Sequence, residues 1–318
     1  MSKKRDLRIV FMGTPEFAVT ILDTLLENDI NVVGVITAPD KPAGRGRKLN
    51  KSAVKEYAET KGLKILQPTN LKSEDFLEEL KSLNANLQIV VAFRMLPKAV
   101  WQMPEYGTFN LHASLLPNYR GAAPINWAII NGETKTGVST FFIDEKIDTG
   151  EMILQEAIAI DKNENAGSLH DKLMHLGSGL VIKTVKHIAL GDVKATPQPE
   201  NAISRTAYKL NKDNCKIDWT ENIDTIHNKI RGLSPYPAAW CQLFNNEEAL
   251  DIKIYTVEKE IIEHDYKVGS IISSKKEVKV AVKDGYINIL DIKLPGKRTL
   301  DIKSLLNGYT FKSDAKML

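Results

Sequence analysis

Residues 7–37 read LRIVFMGTPEFAVTILDTLLENDINVVGVIT and decide the fold of the first half of the chain. An apolar run at 7–12 is followed by a Gly-Thr-Pro turn at 13–15, by apolar residues at helical spacing, and by a second apolar run at 31–37. This order predicts a strand, a helix with Pro15 in its first position, and a second strand. Because a βαβ unit joins parallel strands by a right-handed crossover, we expect a doubly wound α/β domain.

The alternation of helices and strands continues to residue 190. Periodicity predicts helices at 52–61, 73–83 and 167–190, and strands at 87–93, 108–112 and 138–143. After residue 190, prolines, a glycine and polar residues interrupt the pattern. We therefore predict a Rossmann-like domain with a mostly parallel sheet over residues 1–190, and a linker over 191–208.

The remaining part of the chain, residues 209–318, has a different pattern. A short helix at 224–231 precedes short β-prone runs at 238–244, 250–257, 268–273, 278–282 and 286–294. Several short strands separated by turn residues are typical of a small closed sheet. We predict that the second domain is a small, OB-like β-barrel.

The composition excludes several classes of protein. Of the 318 residues, 43% are apolar and 26% are charged, which is typical of a globular chain rather than a disordered or membrane protein. The apolar run behind the charged N-terminus, at 7–12, is too short for a membrane span or an export signal. Two cysteines cannot build a disulfide framework. We expect a cytoplasmic protein that acts as a monomer and has no membrane partner.

The sequence also argues against common cofactors. The turn at 13–15 lacks the spaced glycines of a dinucleotide-binding loop, and no phosphate-loop lysine follows it. Neither a nicotinamide nor ATP is therefore expected. The histidines do not have the spacing of metal ligands, so we expect no metal.

The most informative segment for chemistry is NLHASLLP at residues 110–117, at the end of a predicted strand. Asn110 and His112 are two residues apart, so their side chains project to the same side of an extended chain. Ligands of open α/β sheets bind outside the carboxyl ends of the strands. An amide donor and an imidazole at that place suit acyl transfer to an amine. A fixed donor stabilises the developing oxyanion by roughly 3 to 4 kcal/mol, and an imidazole can take the proton of the amine.

A carboxylate is needed to orient the imidazole, and the turn around Asp148 supplies the best candidate. Gly150 permits a tight turn that aims Asp148 inward. From the residues alone, Asp144, Glu145 and Glu151 compete for this role. A lone strand histidine is also more often structural than catalytic.

Residues 41–55 form a basic stretch with six cations and no acidic residue: Lys41, Arg45, Arg47, Lys48, Lys51 and Lys55. A charge run considered alone is usually a solvated face. This run follows the second predicted strand, whose carboxyl end opens on the same rim as Asn110 and His112, so we expect an anionic partner near that site. If all six cations met phosphates of duplex RNA, the slope of log affinity against log salt would approach about five.

Three segments together resemble the folate-dependent formyltransferases. They are residues 110–117, the run YRGAAPI at 119–125, and the Asp-Thr-Gly turn at 148–150. The resemblance implies an α/β formyltransferase domain and a catalytic set made of Asn110, His112 and Asp148.

The same resemblance implies the co-substrate, 10-formyltetrahydrofolate, and the residues that contact the reduced folate. These would be Ser114, Leu115, Leu116 and Pro117, with Leu96 in the wall of the pterin pocket. Residues 92–97 depart from the family pattern, because many relatives have tyrosine and glycine in place of Phe93 and Arg94. The resemblance therefore implies no role for these two side chains.

Within the family, the resemblance is strongest to the branch that formylates the methionine of initiator tRNA, and it covers almost the whole chain. Residues 11–17 resemble the opening strand and turn of that branch, 39–48 its basic loop, and 231–237 the start of its tRNA-binding barrel. The loop resemblance implies that tRNA is contacted by Lys41, Arg45, Arg47 and Lys48, with Arg45 as the key arginine.

Two other functions remain open. Folate-dependent formyltransferases that act on a purine precursor or an amino sugar share the catalytic segment, but the basic loop and the second domain argue against them. The chain could instead be an RNA-binding protein whose active centre has decayed. The presence of Asn110, His112 and Asp148 argues against that hypothesis.

Overall fold

The structure is a computed structural model that describes residues 4–43, 48–199, 205–245 and 248–318. The chain forms two compact units. The first contains residues 1–121, 136–158 and 170–206, and the second contains 122–135, 159–169 and 207–318. Two short segments, 122–135 and 159–169, thus cluster with the second unit although they precede the predicted boundary at residue 190.

The chain up to residue 190 alternates between strands and helices, as predicted. Its elements are β1 (Ile9–Gly13), α1 (Glu16–Glu27), β2 (Val32–Ile36), β3 (Lys41–Ala43), β4 (Lys48–Asn50), α2 (Ala53–Thr60), β5 (Ile65–Leu66), α3 (Glu74–Ser82), β6 (Leu87–Val91), α4 (Lys98–Trp101), β7 (Thr108–His112), β8 (Arg120–Gly121), α5 (Pro124–Ile130), β9 (Lys135–Phe142), β10 (Met152–Ala159) and α6 (Ala166–Leu190). Each helix and strand predicted in this half is present within a few residues of its predicted bounds.

The first unit is built on a seven-stranded sheet with the order β10-β9-β7-β6-β1-β2-β5. Neighbouring strands from β7 to β5 are parallel, and β9 is antiparallel to β7. The predicted mostly parallel sheet is therefore confirmed. β7 is an interior strand, in which Asn110 pairs with Val90 of β6 and with Phe141 of β9. Its carboxyl end is where the predicted site begins.

The central strands β1 and β6 of this sheet are buried because they are almost continuously apolar. All five residues of β1 and of β6 are buried, as expected of strands covered on both faces. Phe11, Phe109 and Phe141 are among the largest fully buried side chains. Burial of each such ring stabilises the fold by about 1.5–3 kcal/mol, so the sheet is a rigid base for the loops at its edge.

Some local expectations differ from the structure. Pro15 is the N-cap of α1 rather than its first residue, and it makes no side-chain capping bond, so that prediction is wrong by one position. The edge strand β10 was not predicted; its two polar residues, Gln155 and Glu156, are neighbours and interrupt the apolar run, and only one of its residues is fully buried. Among the described residues, no helix is both long enough and apolar enough to cross a bilayer.

The rest of the chain contains β11 (Thr206–Ala207), α7 (Ile223–Leu233), β12 (Ala239–Asn245), β13 (Glu248–Glu260), β14 (Ile271–Ser273), β15 (Val278–Val282), β16 (Gly285–Lys293), β17 (Leu300–Asp301), α8 (Ile302–Leu306) and β18 (Lys316–Met317). The sheet order is β14-β15-β16-β13-β12-β18, and neighbouring strands in this order are antiparallel. A bridge between Ser270 and Lys316 joins the two ends of the sheet. The predicted small barrel is confirmed, and α7 packs its apolar face into the barrel core.

Candidate active site

The candidate site lies at the carboxyl end of β7. His112 is the last residue of this strand and is only 6% exposed, while Asn110, two residues earlier, is partly buried. The strand alternation therefore places both side chains on one side of β7, as predicted. Because β7 is flanked by β6 and β9, the imidazole is held against a rigid sheet.

The imidazole of His112 has a different partner at each ring nitrogen. Nε2 lies 2.8 Å from the carbonyl oxygen of Tyr119, and because a carbonyl can only accept, Nε2 carries the proton. Nδ1 lies 3.8 Å from Oδ2 of Asp148, within ion-pair range but beyond hydrogen-bond range. In the neutral ring, Nδ1 is therefore the free base, and a proton added there lies beside a carboxylate.

Asp148 is held in place by its backbone and by a backbone amide. Its φ is 54°, a left-handed conformation that few L-residues adopt. Oδ2 accepts a hydrogen bond of 2.9 Å from the amide of Gly121. Gly150 is needed in this turn, because a Cβ atom there would lie 1.7 Å from the carbonyl oxygen of Phe142. The turn therefore aims the carboxylate at His112, as predicted from the sequence.

The three competing carboxylates make other contacts. Asp144 accepts from the hydroxyl of Thr149 at 2.8 Å and caps its own turn. Glu145 pairs with Lys98 at 2.8 Å, and that hydrogen bond lowers the pKa of Glu145. Glu151 is exposed at the start of β10. Among these candidates, the structure brings Asp148 to the imidazole.

Asn110 contributes an unsatisfied polar atom. Its Oδ1 is buried and has no hydrogen-bond partner among the described residues. A buried acceptor left without a donor costs about 1–3 kcal/mol. The fold bears this cost next to His112, so Oδ1 is available to an N–H group of a bound molecule.

The residues predicted to contact folate divide into two groups. Ser114 and Leu116 are buried, and the hydroxyl of Ser114 donates to the carbonyl of Asn118 at 2.7 Å. These two side chains therefore shape the loop. Leu115, Pro117 and Leu96 are partly exposed and provide apolar surface.

Further hydrogen bonds fix the backbone of this loop against the sheet. Ser139 of β9 donates its hydroxyl to the carbonyl of Ser114 at 2.6 Å. Gln155 of β10 donates to the carbonyl of Leu116 at 2.8 Å. The loop after β7 is thus held by the two strands beside it.

The departure from the family pattern at residues 93 and 94 has a structural account. Arg94 donates to the carbonyl of Thr69 at 3.2 Å and also to the carbonyl of Pro68. Its guanidinium lies 5.8 Å from the centre of the Phe93 ring. Arg94 therefore anchors the chain ahead of α3, whereas Phe93 packs against the core that contains Val90.

The structure describes only part of the basic stretch at residues 41–55. Lys41 is exposed in β3, which pairs with β4 in a short antiparallel ladder that includes the backbone of Lys48. Arg45 and Arg47 lie outside the described residues, so their predicted contacts with tRNA remain predictions.

The last two cations of this stretch are paired within the protein. Lys51 contacts Glu59 at 2.7 Å, and Lys55 contacts Asp40 at 2.5 Å. The hydrogen bond from Lys55 is also the main cause of a lowered pKa of Asp40. At most four of the six cations can therefore be available to a partner.

One residue near the site was not found from the sequence. Gln198 lies in the predicted linker, yet its side chain is 7% exposed and contacts both the Asp148 turn and Arg120. A single glutamine in a proline-rich stretch has no periodicity or motif that would reveal such contacts. Among the described residues, no group of three His, Cys, Asp or Glu side chains could hold a metal ion.

Two family models together match most of the chain. The family model described as formyl transferase matches residues 7–185, and the model described as formyl transferase, C-terminal domain, matches residues 209–310. The first match contains Asn110, His112 and Asp148, and the second covers most of the barrel.

Individual relatives match over nearly the full length. The methionyl-tRNA formyltransferase of Flavobacterium johnsoniae is 66% identical, covering 98% of this chain and 99% of the relative. That of Bacteroides fragilis is 54% identical, covering 99% of both chains. A solved N-formyltransferase of Helicobacter canadensis, in complex with folinic acid and dTDP-3-aminofucose, has a TM-score of 0.62 at 22% identity. It covers 89% of this chain and 98% of that chain, and shows a shared fold.

Proposed function

The chain belongs to the formyl transferase family, in its methionyl-tRNA branch, and we propose that it transfers the formyl group of 10-formyltetrahydrofolate to the α-amino group of methionine on initiator tRNA. Relatives with the name of this activity align over almost the whole chain and support both the reaction and its acceptor. Purine precursors and amino sugars are less well supported as acceptors, since the solved sugar enzyme shares only 22% identity.

The observation that carries the proposal is the approach of Asp148 to His112, beside Asn110, at the open end of the sheet. The carboxylate and imidazole lie 3.8 Å apart, and Asn110 has a buried oxygen without a partner. Acyl transfer to an amine requires groups that bind the carbonyl, orient the amine and take up its proton. These three side chains meet all three requirements.

His112 is the proton acceptor in this account. Its Nε2 is committed to the carbonyl of Tyr119, so a proton from the amine can be held only at Nδ1. Asp148 stabilises the resulting imidazolium by charge, because its Oδ2 faces Nδ1. Once protonated, Nδ1 is also a donor, so His112 can first act as base and then hydrogen-bond an oxygen of the substrate.

Asn110 orients both reacting groups. Its Oδ1 can accept an N–H of the attacking amine, which satisfies the acceptor left bare in the fold. Its amide nitrogen can then donate to the formyl oxygen, where negative charge develops. One carboxamide thereby sets the distance between the amine and the carbonyl.

The folate co-substrate supplies the formyl group: when the tetrahedral adduct collapses, the bond between the formyl carbon and N10 breaks, and N10 takes up the proton that His112 received, so tetrahydrofolate leaves as the neutral amine. Leu115, Pro117 and Leu96 offer the apolar surface that a pterin ring requires, while Ser114 and Leu116 keep the loop in shape. An unpaired Oδ1 of Asn110 in β7, together with apolar side chains in the loop that follows this strand, suits a ligand that has both an apolar ring and a polar reacting group.

The tRNA substrate is bound by cations outside the catalytic set. We assign phosphate or base contacts to Lys41, Arg45, Arg47 and Lys48, and a further tRNA-binding surface to the barrel. Arg45 is expected to be the main contact, because a guanidinium can stack on a terminal base and hydrogen-bond it at once. The buried free thiols of Cys215 and Cys241 are consistent with a reducing cytoplasm, where we place the reaction.

The experiment that tests the proposal is direct detection of the product. The full chain is incubated with 10-formyltetrahydrofolate and either methionyl initiator tRNA or a panel of small amines that includes an amino sugar and a purine precursor. Formylmethionine recovered from the tRNA is the expected result, with His112→Ala as the inactive control. Transfer to a small amine but not to tRNA would overturn the assignment of the acceptor.

A further inference from the structure

A cavity of about 340 Å³ opens on the second unit, between the outer face of the barrel and the chain that leads into it. Its wall is formed by Trp240 and Lys253 of the barrel, by Leu210 and Lys212 of the incoming chain, and by Asp251. Trp240 and Lys253 are cross-strand neighbours in β12 and β13, so their side chains lie on the same face. The cavity is large enough for one nucleobase.

Trp240 is held as a flat wall of this cavity rather than in the barrel core. It is only partly buried, and its indole N–H donates to the carbonyl of Lys212 at 2.6 Å. The ammonium groups of Lys212 and Lys216 lie 4.6 Å and 5.7 Å from the ring centre. The indole is therefore fixed in place at the wall of an open cavity, with ammonium groups over its ring that a base stacking on the same face would displace.

The polar groups at the cavity suit a nucleotide. Asp251 is paired with Lys212 at 2.9 Å, which sets an acceptor and a donor side by side, as the edge of a base requires. Lys216 and Lys253 are exposed, and Lys253 donates to the carbonyl of Pro237 at 2.9 Å. Lys253 lines the cavity, and Lys216 lies outside its lining with its ammonium 5.7 Å from the centre of the Trp240 ring, so each offers a positive charge for a phosphate near the ring.

We propose that this cavity binds one unpaired nucleotide of the tRNA substrate, with its base against Trp240 and its phosphate at Lys216 and Lys253. The inference rests on the proposed function for its ligand, since loops of tRNA expose unstacked bases. Stacking on an aromatic ring accepts any base, so the contact adds affinity without reading the sequence.

The test is equilibrium binding of tRNA to the full chain, compared with formylation of the same tRNA. Trp240→Ala should weaken tRNA binding about tenfold, while Trp240→Phe should keep most of the affinity. Lys216→Gln should lower the salt slope by about one. Tyr266→Ala is the matched control, because Tyr266 is an exposed aromatic of the same unit outside the cavity.

The outcomes separate this inference from the proposed function. Weaker tRNA binding by Trp240→Ala supports the inference even if wild type makes no formylmethionine, a result that would count only against the proposed function. Unchanged tRNA binding by folded Trp240→Ala and Lys216→Gln variants overturns it. Saturable binding of free mononucleotides that is lost in Trp240→Ala, with tRNA binding unchanged, would assign the cavity to a free nucleotide instead.

A different observation, in the first unit, concerns Gln198. Its Nε2 donates to the carbonyl of Asp148 at 3.0 Å and to that of Gly150 at 2.8 Å. Its Oε1 accepts from Nε and Nη2 of Arg120, at 3.1 Å and 2.6 Å. This one buried amide thereby joins the two segments that place Asp148, because Gly121, next to Arg120, donates to the Asp148 carboxylate.

The geometry assigns Gln198 as a positioning residue that sets the carboxylate of Asp148 against His112. Asp148 has a left-handed backbone with a φ of 54°, so the turn needs contacts from outside to keep this conformation. Gln198 supplies them at both ends of the turn. This inference also rests on the proposed role of Asp148.

The test is a double-mutant cycle on the formyl transfer rate. Gln198→Leu should lower kcat about 10- to 100-fold with little change in the KM for tRNA. In an Asp148→Asn background, the same change should have almost no further effect, since its route to catalysis has been removed. Asn86→Leu is the matched control, because the Asn86 amide also joins two segments, but at the opposite end of β6.

A purely structural role would give a different pattern. Additive losses of kcat in the double variant, or equal losses from Asn86→Leu, would overturn the assignment. If Gln198→Leu fails to fold, the same cycle is measured with Gln198→Glu. This variant keeps the oxygen that accepts from Arg120 and removes the N–H donors to the turn. If wild type does not formylate tRNA, the double-mutant cycle is run with the amine that it does formylate. The same comparison then tests whether Gln198 acts through Asp148.

Discussion

At the scale of single residues, the site depends on side chains that the fold holds at a cost. Asp148 is held with a φ of 54°, Gly150 leaves no room for a Cβ atom, and the Asn110 Oδ1 is buried without a partner. Such strain persists when the surroundings over-determine the conformation, and it is concentrated at functional sites. Replacement of Asn110 should therefore raise stability and lower activity, whereas Gly150 cannot take a side chain without a loss of stability.

Asn110→Val should raise stability and abolish most activity. The valine removes a buried acceptor that lacks a partner and suits an interior strand, so the free energy of unfolding should rise by about 1 kcal/mol. The formyl transfer rate should fall about 100-fold or more, because the amine and the carbonyl lose their shared contact. Denaturant unfolding and single-turnover transfer measure the two effects. A variant that is destabilised and fully active would contradict both parts.

Gly150→Ala should destabilise the first unit. The added Cβ atom would lie 1.7 Å from the Phe142 carbonyl oxygen, so the turn has to move, at a cost of about 2 kcal/mol or more. The matched control is Gly179→Ala in α6, where no atom lies within 4 Å of the added Cβ and stability should rise by about 0.5–1 kcal/mol. Thermal unfolding of the pair checks this prediction, and similar shifts in Tm would refute it.

At the scale of elements, the strands of the sheet could be predicted and the loops at its edge could not. β7 was predicted with its observed bounds, 108–112, because its apolar residues Phe109 and Leu111 alternate with polar ones, as in a strand. The carboxyl-end rule then placed Asn110 and His112 near a ligand. The choice of Asp148 over Asp144 or Glu145 depended on family resemblance. The spacing of residues does not reveal the turn geometry, the hydrogen bond from Thr149 to Asp144 or the ion pair between Lys98 and Glu145.

The basic stretch should bind tRNA with a lower salt dependence than its count of cations implies. Lys51 and Lys55 already pair with Glu59 and Asp40, so at most four cations remain for phosphates. The slope of log affinity against log salt from this stretch should then stay below about four rather than approach five. A variant in which Lys41, Arg45, Arg47 and Lys48 are all replaced by neutral residues should show a salt slope that is lower than that of wild type by up to about four.

A control for the basic stretch uses one of its paired lysines. Lys51→Ala should leave tRNA affinity and the salt slope nearly unchanged, whereas Arg45→Ala should weaken catalysis on tRNA and leave folate binding intact. Equal effects of the two variants on tRNA affinity would contradict this division between paired and available cations.

At the scale of the whole molecule, the two parts of the chain were predicted because their patterns differ: helical and strand periods up to residue 190, and short strands afterwards. The contacts of Gln198 were not predictable, because they join residues about 50 positions apart through one amide. The assignment of residues 122–135 and 159–169 to the second unit could not be predicted either, because these segments continue the helix and strand pattern of the first half of the chain. Long-range contacts of this kind leave no local signal.

The second unit should lose stability in mild acid because of His227. Burial is the main cause that lowers the pKa of His227 to about 4 from 6.5, helped by Lys259 and Arg231 and opposed by Asp224. The unfolded chain therefore binds a proton between pH 6.5 and 4 that the folded barrel does not, and stability falls as pH falls through that window, by roughly 3 kcal/mol in total. Unfolding followed through Trp219 and Trp240 against pH checks the expectation.

The control for this pH dependence is His227→Gln, which removes the titrating group from the same buried position. Its stability should vary less between pH 6.5 and 4 than that of wild type. Parallel curves for the two proteins would show that other groups cause the loss.

The central claim is that His112 takes the proton of the amine while Asp148 stabilises the charge that forms. It is tested most directly by the single-turnover rate of formyl transfer to methionyl-tRNA by Asp148→Asn, with tRNA and folate affinities measured on the same preparation. We expect a loss of about 100-fold or more in rate, with both affinities within about twofold of wild type, since the asparagine keeps the shape and removes the charge. A folded Asp148→Asn variant that transfers the formyl group at nearly the wild-type rate would contradict it.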